Sequence, residues 1–550
     1  MFRTLVLGLL FAPAALADPS LLPPPKFDGL GSHTRAVSKN KDAQAYFDQG
    51  LAFLYAFNHD EAVRSFEHAV KLDPDCAMAH WGVALACGGH INKPVMDPAT
   101  MKKAVAAMTQ ADRLVRTVGD ADASLIKAIK VRYTDRDDVR DGDDQEKRNK
   151  RYSQAMKAAW EKFPKDADVG AIYAESLMNL RPWDLWTLDG KPQAGTEELV
   201  STLEAVLKLN PKHPFALHLY IHAIEASPEP GKATDAADQL RDLTPGLGHM
   251  VHMPSHIDVR CGRWAEAAEA NAKAIKADAA YREKSPKQGF YHLYMAHNHH
   301  MLAFAAMQMG QSKKALGAVR EMLAGVPKEW VAVPENAAIA DGFLAAPLEV
   351  MIRFGMWDDI LKEPAFPEVF PIATGLRHHA RGIAYAAKGK PKEAREELDA
   401  LRVATRKLPK EAVFGNNTGA DLFAVADAML EGEILAAEGK MPDALKKLAD
   451  AVAKEDQLKY MEPPDWIVPV RHALGAFLLK DGQAAEAEKV YRADLKKWPN
   501  NGWALYGLAE CLDAQGKKAD AEKVRGEWKK VWAKADISIG SSCLCVPKSR

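Results

Sequence analysis

Ten of the eighteen histidines in this 550-residue chain fall between His213 and His300. Beyond His213 they form three groups. The first is His218-Leu-Tyr-Ile-His222-Ala-Ile-Glu225, the second His249-Met-Val-His252-Met-Pro-Ser-His256, and the third His292-Leu-Tyr-Met-Ala-His297-Asn-His299-His300. On a helix turning 100° per residue, His218, His222 and Glu225 lie within about 60° of one another, as do His249, His252 and His256. Neutral imidazoles one turn apart can share an ion, and a carboxylate one turn further on can complete the site. Copper, zinc and iron all accept imidazole-rich sites, so ligand type alone does not choose among them. Pro254 interrupts the second group, so its helix either kinks there or starts late and leaves His252 in a loop.

Fewer residues elsewhere carry chemistry. Cys543-Leu-Cys545 could bind a soft metal or oxidise, which makes the pair a candidate second metal or redox site. Arg260, one turn beyond His256, is placed as a charge partner for a carboxylate, either Glu225 or one carried by a ligand. Trp183 and Trp186 stand in an irregular connection, as wedges between helices or as ligand contacts. The chain has no His-Glu-x-x-His, no phosphate-binding Gly-rich loop with Lys, no Gly-x-Ser-x-Gly and no Cys-x-x-Cys. A formal net charge of -1 gives no electrostatic reason to expect nucleic acid or an anionic membrane as partner.

The elements that must position these residues read as helical hairpins. Residues 43–74 give a helix through Phe57, a turn at Asn58-His59, a second helix from Asp60, and the stop Leu72-Asp73-Pro74, which is the tetratricopeptide pattern. Its turn signature returns at Gly262-Arg-Trp-Ala-Glu-Ala267, Gly389-Lys-Pro-Lys-Glu-Ala394, Gly439-Lys-Met-Pro-Asp-Ala444 and Gly482-Gln-Ala-Ala-Glu-Ala487. No stretch alternates long enough to build a sheet. The expected fold is all-α, a tetratricopeptide-type solenoid wound as a right-handed superhelix. Residues 1–17 read as a signal peptide, with Arg3 ahead of an apolar run and Ala15-Leu16-Ala17 as the cleavage site, so the mature chain is expected to be periplasmic or secreted. No later run is long enough to span a membrane. After the signal come an extended lead-in (18–42), N-terminal repeats (43–133) and a charged loop (134–150). Central His-rich repeats (151–330), C-terminal repeats (331–535) and the Cys-x-Cys tail (536–550) complete the chain.

Several strings carry a finer resemblance. Phe57-Asn-His-Asp-Glu-Ala62, Asp73-Pro-Asp-Cys-Ala-Met78, Asn179-Leu-Arg-Pro-Trp-Asp184, His252-Met-Pro-Ser-His256 and Glu462-Pro-Pro-Asp-Trp466 resemble a family of exported bacterial tetratricopeptide-repeat proteins. The resemblance covers most of the mature chain and implies fold and export, with no settled activity. It also implies that the first helix of each repeat lines a concave groove.

Counting back from the turn glycines then gives a register. His256, His252 and His249 stand 6, 10 and 13 residues before Gly262, and His300 and His297 stand 10 and 13 before Gly310. Glu225, His222 and His218 stand 6, 9 and 13 before Gly231, while His379 and His472 each stand 10 before the next turn glycine. Successive groove helices are thus expected to offer imidazoles at matching rungs. The expected function is an exported scaffold that binds a ligand in its groove, with a transition-metal site built from His218, His222, His249, His252, His256, His297 and His300. Two alternatives stay open: a metal-dependent enzyme using the same histidines, and a metal-free module holding a peptide or partner protein.

Overall fold

The computed structural model describes residues 23–133, 142–286 and 289–546, without the side chains of 142–144. The expected signal peptide, and residues 134–141 of the expected charged loop, lie outside these. Antiparallel helix pairs dominate the rest, among them Lys41–Tyr55 with His59–Leu72, Pro371–Ala387 with Pro391–Lys407, Gly419–Ala437 with Met441–Glu455, and Gly502–Ala514 with Lys518–Val531. The turn glycines do what the signature requires. Gly262, Gly310, Gly389, Gly439, Gly482 and Gly516 all have φ between +69° and +80°, the left-handed conformation that ends a helix without a Cβ penalty. Within the hairpins, missing side chains allow close packing: a Cβ on Gly50 or on Gly82 would stand 2.6 Å from the Phe66 ring.

Two boundaries differ from expectation. Residues 142–150 belong to the helix Gly142–Lys162 and not to a loop, with Arg148 and Asn149 buried, because a charged stretch can still carry one buried face. The all-α expectation holds: among the described residues the strands are one two-residue hairpin, Val413–Phe414 with Asn417–Thr418. The first helix starts at Lys41, capped by the Asn40 side chain.

The chain also folds back on itself. One apolar core runs from Tyr46 to Met295 and a second from Val259 to Cys545. They meet at Pro254–Arg260 and His292–Gln308. Within the second core, C-terminal residues return to the central helices: Trp264 donates its indole N–H to the Pro499 carbonyl at 2.9 Å, and Trp503 donates to the Met307 carbonyl at 2.7 Å. The histidine-bearing helices therefore sit between the two halves, where C-terminal residues can reach them. Among the described residues no helix is long and apolar enough to cross a membrane.

Candidate metal centre

Three helices bring the histidines together. Pro214–Ile224 is N-capped by His213, whose ring Nδ1 accepts from the Ala216 N–H at 3.2 Å, and every residue of this helix is buried. Gly248–His252 runs directly into Pro254–Arg260. Met253, at φ -49° and ψ -39°, keeps the helical path, and its N–H still reaches the His249 carbonyl at 3.0 Å. Pro254 therefore does not end the helical path, and His252 stays helical. Gly248 lets the start of that helix lie against Asp278, whose Oδ1 would be 2.0 Å from an added Cβ. The third helix, His292–Gln308, supplies His297.

Ligand atoms of His218, His222 and His249 lie within 4.8 Å of one another, and so do those of His252, His256 and His297. The first triad is fully buried and in the second only His297 is half-buried, so the site is an interior chamber. An open groove surface would have left these rings wet.

The second ring nitrogens fix the tautomers. His218 Nδ1 donates to the Tyr55 carbonyl at 2.7 Å, and His252 Nδ1 to Asn271 Oδ1 at 2.7 Å. The Glu225 carboxylate holds one ring from each triad, accepting from His222 Nδ1 at 3.0 Å and from His256 Nδ1 at its other oxygen. With Nδ1–H engaged, the Nε2 lone pairs of His218, His222 and His252 are left for the chamber. Backing a ring N–H with a carboxylate or carbonyl orients a metal-binding histidine and raises its basicity. His222 Nε2 is buried and has no partner among the described residues. Two Nε2 pairs face each other, His218 with His249 at 3.2 Å and His252 with His256 at 2.7 Å. Nitrogens bound tetrahedrally to one ion at 2.0–2.1 Å stand about 3.3 Å apart.

Electrostatics separates His256 from the others. Burial pulls His256 down, but Glu225 and then Glu462 outweigh it and hold the ring up to about 10. Burial, and after it neighbouring imidazoles, keep His218, His249, His252 and His297 well below the usual histidine range. Glu225 is driven down, because His256 and His222 overcome its burial, whereas burial drives Glu462 up. A proton held on His256 would compete with a metal ion for the Nε2 position that faces His252.

Other candidates take different places. His300 packs edge-on against Phe343 at 5.5 Å and stands outside both triads. Arg260 does not pair with Glu225: it donates to the Ser227 carbonyl at 3.2 Å and lies over the Tyr460 and Trp498 rings. Trp183, at φ +61°, meets His222 edge-to-face at 5.6 Å and donates to Asn92 Oδ1 at 3.0 Å, so it walls the chamber. Trp186 is the wedge, donating to the Ala223 carbonyl at 2.8 Å. Cys543 and Cys545 are buried and joined as a disulfide, and so are not exposed thiols.

His379 is a core histidine, its Nδ1 donating to the Ala426 carbonyl at 3.1 Å and its ring against Trp466. Burial lowers it from 6.5 to about 4. A base depressed on folding contributes stability above pH 6.5, which is lost as pH falls towards 4 because the unfolded chain takes the proton first. Between pH 7.5 and 4.5, His379→Gln should therefore lose about 2–3 kcal/mol less stability than the parent in denaturant titrations. Equal losses would contradict a buried neutral ring.

Glu462, Asn271 and Tyr55 are site neighbours that local spacing does not reveal. Glu462 lies 3.1 Å from His256 Nδ1, and Tyr294 packs at 4.6 Å from the His249 ring. The Glu462-to-Trp466 string was the one available signal. A third group, His33, Asp168 and His213, is satisfied internally: Asp168 also accepts from Tyr55 and Arg35, and clamps the lead-in to the repeats.

The repeat class follows from these hairpins and is matched directly. Residues 43–76 and 478–524 each match the family description "Tetratricopeptide repeat". The chain is thus a tetratricopeptide-type helical solenoid with a histidine chamber at the seam between its cores. No curated protein matches it. Solved structures similar in course include the human IFIT1 dimer with m7Gppp-AAAA, at 13% identity over 90% of this chain and 91% of that one, with a TM-score of 0.33. The Cut9–Hcn1 hetero-tetramer of APC/C shares 12% identity over 92% and 79%, TM-score 0.31. Yeast Tom70 shares 12% over 90% and 92%, TM-score 0.29.

Proposed function

We propose that this protein is a repeat scaffold whose histidine chamber binds transition-metal ions. The observation that carries the reading is His222 Nε2, a buried lone pair with no partner whose opposite nitrogen is anchored on Glu225. Leaving such an acceptor unmade costs about 1–3 kcal/mol, which an ion coordinated there would recover. Copper, zinc and iron are the ions this donor set favours, with Cu2+ expected to bind most tightly among first-row divalent ions. The surrounding repeats fit binding of a protein or peptide, and the N-terminal signal is read as directing export.

The test is metal content. Protein loaded with Cu2+ or Zn2+ and desalted should retain ion, and His222→Ala/His256→Ala, which takes one ring from each triad, should retain almost none while keeping its helical circular dichroism. Equal metal in the two proteins would refute the chamber as the site.

A further inference from the structure

Away from the chamber, a second cluster of ligand-type side chains closes the C-terminal end. The tail folds back and is pinned at Ser542. Its hydroxyl donates to the His472 carbonyl at 2.9 Å and meets the Tyr491 hydroxyl at 2.5 Å, while Arg353 donates to its carbonyl at 3.1 Å. This anchoring sets Cys543 and Cys545 against Glu433 of the helix Gly419–Ala437, with the two sulfurs and a carboxylate oxygen within 4.8 Å of one another. The Cys545 N–H points at Cys543 Sγ at 3.3 Å, a contact that steadies a thiolate. Glu433 is 2% exposed, and neither of its oxygens has a hydrogen-bond partner among the described residues. The nearby Arg353 turns its two terminal nitrogens to His472 and Ser542. A buried carboxylate without donors is costly, and a cation beside it removes that cost.

We propose that Cys543, Cys545 and Glu433 form a redox-gated site for a soft divalent cation, closed as the disulfide and open as the dithiol. Two thiolates and one carboxylate make a three-ligand set suited to Zn2+ or Cd2+, with a fourth position left for water. Opening consumes two electrons. A phosphine gives them to the S–S bond and becomes a phosphine oxide with oxygen taken from water, while the two protons of that water yield two thiols. Binding of the cation then displaces both thiol protons. The proposal does not depend on the histidine chamber, which contains no sulfur.

The experiment is a Cd2+ titration, read by the thiolate-to-cadmium charge-transfer absorption to which histidine sites do not contribute. Full-length protein is reduced with a phosphine, desalted without air, and compared with the unreduced protein. The reduced protein should show the band saturating at one Cd2+ per chain, and the unreduced protein should not. Cys543→Ser/Cys545→Ser should lose the band although Cys76, Cys87, Cys261 and Cys511 remain. The near-isosteric Glu433→Gln should keep the band but bind more than about tenfold more weakly. A band of equal strength in the double-serine variant, or none in the reduced parent, would overturn the site; unchanged affinity in Glu433→Gln would remove the carboxylate from it.

Discussion

Loading the ion-free protein to saturation should place two transition-metal ions in each chain. His218→Ala/His249→Ala and His252→Ala/His297→Ala should each hold one. The expectation comes from the size of the triads. Ring centroids in the first are 4.9, 4.9 and 6.3 Å apart, and in the second 4.7, 4.6 and 5.6 Å. Three imidazoles bound tetrahedrally through nitrogens at 2.0–2.1 Å put their centroids about 5 Å apart. Each triad is therefore the size of one three-histidine site, with a fourth position unfilled by these side chains. The triads abut: His222 lies 5.6 Å from His256, and His249 lies 5.7 Å from His252. Paired ions are a common arrangement for clamping a reacting group between them. Elemental analysis against protein concentration checks the count. One ion in the parent and none in either variant would mean a single shared site in place of two.

The second large effect should come from Glu225, which touches no ion in this scheme. Its two oxygens hold His222 of one triad and His256 of the other. Glutamine keeps the volume but has only one acceptor oxygen, so one ring must lose its anchor. Loss of such an outer partner typically costs 10–100-fold in metal affinity. Glu225→Gln should therefore weaken Cu2+ or Zn2+ binding by about that factor, measured by competition with a chelator of known affinity. The helical content of the variant should match the parent. Unchanged affinity would show that the carboxylate serves packing alone.

The hairpin fold and the grouping of the histidines on helix faces were legible from local spacing. Turn glycines repeat because ending a helix needs a left-handed residue, and His218 and His222 share a face because a helix turns 100° per residue; both facts belong to a few contiguous residues. The rung reading failed in its detail. His252 and His300 share an offset of ten from their turn glycines, yet His252 lies in a triad and His300 against Phe343. Offsets along separate helices do not specify how those helices are rotated relative to one another.

What the residue order determined by itself was which stretches are helical, where they turn, and which histidines share a helix face. Tertiary structure decided that the rings are buried, that they divide into two triads, and which partners fix their tautomers. Tyr55, Asn271 and Glu462 reach the chamber from as far as 206 residues away in sequence, the separation of His256 from Glu462. Such contacts follow from how whole helices pack against one another, and helical periodicity, which is confined to one element, carries no trace of them.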